Sequence, residues 1–264
     1  MPVPSIVSPS PVGDAPGRFH GDARRALRHP FLPQRRDPLR DLVSGAMVRV
    51  EATGHVLVIT LDRPEVRNAV DAATSAQLEA AIDRLEQHDE LRCGVLTHTG
   101  PVFCAGADLK AIAQHGLTGF ETERGGFGGL CRRERAKPLV VALEGAAVGG
   151  GLELVLACDV VIATPAVRFA VPETRRGMVA LSGGTFRLAR AVGRAVALDL
   201  VMTGDELDAT RAAQLGLVSR LVEPGTAVAV ALAVAERIAA NAPVAVRESR
   251  ALTAAAFDHD DATL

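Results

Sequence analysis

From Met47 onward the sequence switches repeatedly between period-2 and period-3.6 patterning, and few architectures accept that order. Met47–Glu51 and His55–Leu61 alternate apolar and polar residues around Ala52-Thr53-Gly54, which predicts a β-hairpin. Thr74–His88 follows, with Leu78, Ala81, Ile82 and Leu85 on one helical face. Cys93–Thr97 and Leu139–Leu143 fit short buried strands. A second helix begins near Asp108, and Gly149–Cys158 reads as a buried helix. Asp159–Ala163 and Arg168–Val171 are further strands. Helices then dominate, at about 185–203, 208–215, 226–241 and 243–256, interrupted by one short strand at Leu217–Val222. Alternation that gives way to helices predicts an α/β core with a helical end. No internal repeat at solenoid periods is present.

Residues 1–46 lie outside that pattern. They hold 8 of the 15 Pro and carry 7 Arg against 4 Asp, with no apolar periodicity, so a disordered Pro/Arg-rich extension is expected. They lack the continuous apolar stretch of a secretory signal. Met47 would serve as the start of the folded part. No apolar run in the chain approaches the ~20 residues of a membrane span. Residues 47–264 carry 22 basic and 27 acidic side chains. The chain's basic residues are 27 Arg and only Lys110 and Lys137, a replacement of Lys by Arg throughout that is no evidence for a phosphate-binding surface. Neither nucleic acid nor a membrane surface is an expected partner. There is no Tyr and no Trp, so only the 8 Phe could stack on bases, and mechanisms needing a phenolic proton donor are excluded. Cys93, Cys104, Cys131 and Cys158 have neither disulfide nor zinc spacing. They read as small buried hydrophobes in a reducing, cytoplasmic setting.

Four segments, each a loop after a strand, stand out as carriers of chemistry. They are Arg63-Pro64-Glu65-Val66-Arg67-Asn68-Ala69; Phe103-Cys104-Ala105-Gly106-Ala107-Asp108-Leu109-Lys110; Gly145 to Leu154; and Phe169-Ala170-Val171-Pro172-Glu173 with Gly177. Gly149-Gly150-Gly151 opens a helix. There, free N–H groups at the positive end of the helix dipole suit an oxygen gaining negative charge. It fits neither the Rossmann nor the P-loop fingerprint, and by itself it equally fits a plain turn. Glu153 lies among Leu152, Leu154, Val155 and Leu156, so its carboxylate must be partnered, hydrated or functional. Glu173 taken alone fits a solvated loop residue, and Asp108 fits a helix N-cap. The seven His form no metal spacing and no triad, and no GxSxG elbow is present.

Taken together and in this order, the four segments resemble the enoyl-CoA hydratase/isomerase (crotonase) superfamily, from about Val48 to about Phe257. Thr203-Gly204-Asp205 and Ala213-Gln214-Leu215-Gly216-Leu217-Val218 add to the resemblance. It implies an α/β spiral of ββα units, of the kind shared with the ClpP-like proteins, with a crotonase core at 47–203. A helical region at 204–264 follows, shorter than the family's usual C-terminal end. It implies a hydro-lyase adding water across the 2,3 double bond of a 2-enoyl-CoA thioester. Under that resemblance Glu153 and Glu173 are catalytic, while the amides of Ala105 and Gly150 form the oxyanion hole. Arg67, Asn68, Ala69, Val70, Ala107, Asp108, Leu109, Lys110 and Gly149 lie along coenzyme A, which is part of the substrate. No metal and no separate cofactor are implied. The family's trimers, often paired as hexamers, are the implied assembly.

Arg124-Gly125-Gly126-Phe127-Gly128-Gly129-Leu130 and Leu181-Ser182-Gly183-Gly184-Thr185-Phe186-Arg187-Leu188 resemble more narrowly the carnitinyl-CoA dehydratase branch. Three alternatives stay open at this level. They are a carnitine-type or isomerase activity, an inactive shortened paralogue acting as an interaction subunit, and an RNA-binding member of the fold. The last is disfavoured by composition. An acyl pocket lined by aliphatics and Phe is also a weak cage for a quaternary ammonium.

Overall fold

The computed structural model describes residues 46–116, 120–259 and 263, so the extension expected at 1–46 lies, but for Ala46, outside the described residues. β1 (Val48–Thr53) and β2 (Val56–Leu61) form the hairpin, turned by Gly54 and His55 with Thr53 paired to Val56. A 3₁₀ turn (Pro64–Val66) and α1 (Ala72–Gln87) follow. The chain then repeats one unit. β3 (Cys93–His98), β4 (Val102–Cys104) and α2 (Leu109–His115) make the first. A small antiparallel pair, β5 (Glu121–Thr122) and β6 (Gly126–Phe127), precedes the second: β7 (Leu139–Leu143), β8 (Ala146–Val148) and α3 (Gly150–Leu156). β9 (Val160–Ala163), β10 (Arg168–Ala170) and a second 3₁₀ segment (Pro172–Arg176) make the third. Then come α4 (Phe186–Val192), α5 (Arg194–Thr203), β11 (Glu206–Asp208), α6 (Ala209–Leu215), β12 (Arg220–Leu221), α7 (Ala227–Ala239) and α8 (Pro243–Ala255).

The first strand of each unit enters a six-stranded sheet of order β1-β2-β3-β7-β9-β12, parallel except for the hairpin. The second enters a four-stranded sheet of order β11-β10-β8-β4. This is the α/β spiral of ββα units expected from the sequence. β11 and β12, beyond Gly204, add an edge strand to each sheet. The three-residue strands β4, β8 and β11 escape sequence reading because a period of two needs more positions to show. The helix expected at about 185–203 is two helices. Gly193 sits at φ +82, a conformation that cannot continue a right-handed helix.

Side chains on the central strands part by alternation. Val95, Val140, Ala142 and Ile162 face α7, whose Ala227, Ala231, Val234, Ala235 and Ala239 cover them. Leu96, Leu139, Val141, Leu143 and Ala163 face the other way into the main core with Leu78, Ile82, Leu85 and Leu154. β3 and β7 are therefore buried on both faces, which is why they read as continuous apolar runs. Among the described residues no single helix is long and apolar enough to cross a membrane.

Candidate active site

β4, β8 and β10 run parallel in the smaller sheet, so their C-terminal ends share one edge. The loops leaving that edge carry Ala105–Asp108, Gly149–Glu153 and Pro172–Glu173. Ala105, Gly106, Ala107, Gly149, Gly150, Glu153, Pro172 and Glu173 line one cavity of about 420 Å³. Ligand sites form at such strand ends because the loops there converge while the sheet stays rigid.

Glu153 sits in the first turn of α3 and is 4 % exposed. Its Oε1 accepts the backbone N–H of Ser182 at 2.7 Å and of Gly184 at 2.9 Å. Burial pushes its carboxyl above the usual carboxylate value. The bonds from Gly184 and Ser182 and the charge of Arg187 pull the other way, and Glu173 adds to the rise. Glu173 stands across the cavity on the second 3₁₀ segment. Its Oε2 is buried with no hydrogen-bond partner. Burial raises this carboxyl too, against its own backbone amide and the charge of Arg176.

The triple glycine has a local cause at each position. Gly149 has φ +57, and a Cβ there would lie 2.8 Å from Glu173 Oε1. A Cβ on Gly150 would enter the Phe127 ring, and one on Gly151 would meet the Cys104 carbonyl.

The backbone donors correct one sequence assignment. The N–H of Ala105 donates to the Arg67 carbonyl at 3.0 Å and has no spare capacity. Ala107 forms a parallel bridge with Val70, in which Val70 N–H donates to Gly106 O and Asp108 N–H to Val70 O, both at 2.8 Å. That pattern leaves the Ala107 N–H on the far side, without an acceptor among the described residues. Gly150, as the first residue of α3, also has no intrahelical acceptor for its N–H. Ala107 and Gly150 thus each present an unengaged amide N–H on the cavity wall.

The segment 67–70, expected from the sequence to lie along coenzyme A, sits behind this wall rather than on it. Arg67 and Asn68 have φ +57 and +52. Asn68 is buried, its side-chain amide donating to Thr99 O and Val102 O and its Oδ1 accepting from Arg63 N–H. It pins this turn to the β3–β4 connection. Ala69 and Val70 are buried, and the Arg67 side chain is exposed. Asp108 caps α2 by accepting from Lys110 N–H at 3.1 Å and lies 3.4 Å from Arg63, so its N-cap reading holds. Leu109 lines the cavity at 47 % exposure, while Lys110 is exposed and does not line it.

Several lining residues were not singled out from sequence: Ile112, Phe120, Phe127, Arg176, Met178 and Leu181. Only Phe127 and Leu181 lay in quoted motifs, and those motifs carried no contact information. Leu181 is 79 % exposed and Val179 58 %, so one wall of the cavity is a loop that opens to solvent.

The sequence profile of the enoyl-CoA hydratase/isomerase family matches residues 51–263. Among characterised proteins, the mevalonyl-coenzyme A hydratase of Aspergillus fumigatus is 38% identical over 208 residues, covering 78% of this chain and 76% of the relative. The crystal structure of an enoyl-CoA hydratase from Mycobacterium tuberculosis H37Rv matches with a TM-score of 0.78 and 42% identity. That match covers 82% of this chain and 85% of the other. A carnitinyl-CoA hydratase from Mycobacterium avium matches at 0.76 and 42%, over 81% and 82%. The chain belongs to the enoyl-CoA hydratase/isomerase family of enzymes, and its fold is the crotonase fold.

Proposed function

We propose that the chain hydrates 2-enoyl-CoA thioesters through the cavity at the ends of β4, β8 and β10. One observation carries this reading: the buried carboxylate of Glu153 and the half-buried one of Glu173, whose Oε2 is shut from solvent, share a cavity with the unengaged amides of Ala107 and Gly150. A thioester carbonyl oxygen set between those amides is polarised, and an enolate formed there meets fixed donors; one such donor contributes about 3 kcal/mol. Water adds its oxygen to C3 while Glu153 takes one proton. The π pair shifts toward C2 and the carbonyl, and Glu173 delivers a proton to C2 on the same face. The reverse sequence dehydrates a 3-hydroxyacyl thioester. Glu153, held by two N–H donors, is suited to the ionised role. Glu173, whose Oε2 has no partner, is suited to the protonated one. Two carboxylates around one water titrate as a pair, so apparent pH limits belong to both.

The acyl pocket reading follows from the lining. Leu109, Ile112, Phe120, Phe127, Met178 and Leu181 favour an aliphatic acyl chain. Besides Glu153 and Glu173, the charged lining residues are Arg176 and Glu121, and Glu121 is already paired with Arg132 at 2.9 Å. An additional cationic acyl group, as in the carnitine-type alternative, would face Arg176 with no free carboxylate in the lining beyond the two glutamates assigned to the chemistry, and without a Trp or Tyr cage. The test is a panel of crotonyl-, longer enoyl- and crotonobetainyl-CoA. The reading predicts that enoyl-CoAs are hydrated with higher kcat/KM than crotonobetainyl-CoA, and the reverse order overturns it. Coenzyme A enters as part of the substrate, past the exposed Arg67 and the Ala107–Lys110 segment. A trimer, or hexamer, is the expected assembly. Val244, Leu252 and Phe257, at 60, 50 and 67 % exposure on and after α8, would take cover in it, which light scattering tests.

A further inference from the structure

The proposed base is backed by a charge that the reaction scheme does not use. Arg187, in the first turn of α4, donates its backbone N–H to Gly183 O, and its Nη1 is buried with no hydrogen-bond partner. A Cβ on Gly183 would lie 3.0 Å from that Nη1, and one on Gly184 would lie 3.1 Å from Glu153 Oε1. The guanidinium and the carboxylate therefore approach adjacent glycines, Arg187 at Gly183 and Glu153 at Gly184. Gly183 also has φ +124, so the position admits glycine on both counts.

On its own side Arg187 faces a second cavity, of about 530 Å³, that backs α3 and is also lined by Arg133, Arg135, Arg190 and Arg250. Each of those four has a carboxylate: Asp83, Asp159, Asp258 and again Asp159, at 2.5 to 2.8 Å. Among the described residues Arg187 has no such partner in direct contact. A guanidinium nitrogen shut away from water and left unbonded is costly unless a nearby negative charge offsets it.

We propose that Arg187 is a positioning residue for the hydration reaction, its cation lying behind the Gly183–Gly184 backbone and keeping Glu153 as an oriented carboxylate. The proposal rests on Glu153 being the base. The groups facing Glu153 are Glu173 from the second 3₁₀ segment, Arg187 from α4, and the thiol of Cys131, which burial pushes well up and keeps neutral. Arg187 is the lasting charge among these and lowers the Glu153 carboxyl, whereas Glu173 raises it when ionised, which favours one of the two glutamates holding a proton. Arg176 acts on Glu173 but is exposed, so solvent screens it more than Arg187. The asymmetry separates the two glutamates into an ionised base and a protonated acid.

The test is the pH profile of kcat/KM for crotonyl-CoA hydration in Arg187→Met, Arg187→Gln and Arg187→Lys, with folding checked by circular dichroism. Loss of the cation should move the acid limb of the profile up by about one pH unit. It should cut kcat/KM about ten-fold below that limb, with recovery toward wild type at higher pH and little change in KM. Arg187→Lys should restore the limb. Arg187→Gln reads the same effect if the Met variant does not fold. A uniform loss at every pH, an unmoved limb, or a Lys variant as impaired as Gln would overturn the proposal. Glu153→Gln separates this from failure of the underlying reading. If Glu153→Gln is itself severely impaired and adding Arg187→Met changes nothing further, Arg187 acts through Glu153. If Glu153→Gln is near normal, the two-glutamate reading fails first.

Discussion

Replacing each glutamate by glutamine removes a charge and a proton carrier while leaving the volume of the side chain almost unchanged. At Glu153 the change is mild for the fold, because the Gln Oε1 can still accept from Ser182 and Gly184 N–H. At Glu173 it replaces an oxygen that has no partner with an amide facing the cavity. Positioned acid or base groups contribute about 10²- to 10⁴-fold, so each variant should hydrate crotonyl-CoA at least about 100-fold more slowly, or about 2.7 kcal/mol in the barrier. Both act on one water and one thioester, so their losses should not multiply. The double variant should fall close to the more impaired single variant, with residual turnover from the amides of Ala107 and Gly150. The assay follows loss of the enoyl-thioester absorbance, with circular dichroism on each variant as the fold control. Near-normal turnover in either single variant refutes the two-glutamate chemistry. Losses that multiply in the double variant refute the claim that both groups serve one event.

Two shorter predictions concern the frame around the site. Gly149→Ala places a Cβ 2.8 Å from Glu173 Oε1 at φ +57; it should cost about 1–2 kcal/mol of stability, read by denaturant unfolding, and at least ten-fold in hydration as Glu173 is displaced. Arg135, whose side chain is 2 % exposed, bonds Asp159 at 2.7 Å and the Ala157 carbonyl at 2.9 Å. Arg135→Met should therefore lower stability by about 3 kcal/mol while leaving KM for crotonyl-CoA unchanged in the folded fraction.

What the sequence made legible was the chemistry-bearing residue types and their order. Glu153 was conspicuous because a carboxylate amid Leu and Val needs a reason. The triple glycine was conspicuous because it implies close approach, realised here by Glu173, Phe127 and Cys104. What stayed hidden depends on long-range register. The Ala105 and Ala107 amides are separated by Gly106 at φ +89, which turns the backbone between them, so which one faces the cavity is decided by pairing with Arg67 and Val70. Those partners are more than thirty residues away in the chain. The smaller sheet was hidden for a related reason: β4 and β8 are too short to show a period, yet they aim all three site loops at one edge. The anchors of Glu153, the amides of Ser182 and Gly184, are backbone groups and leave no side-chain signature.

The same burial that prepares the glutamates also costs stability, and the sign of that cost is testable. Burial raises Glu173 above its ordinary value near 4.5, so the folded protein holds that proton to a higher pH than the unfolded chain does. Between those two values the folded state binds more protons. Its stability contribution is therefore fully present below about pH 4.5 and is lost as pH rises through the raised folded-state value. Glu173→Gln cannot titrate and should not show that loss. The melting temperature of Glu173→Gln relative to the wild type should rise from about pH 4.5 upward and then level off once Glu173 is ionised in both states. A difference that is flat across this range would mean that Glu173 is hydrated in the folded protein. A difference that falls with pH would mean that its carboxylate is stabilised there, and a proton-donating role at neutral pH would then lose its physical basis.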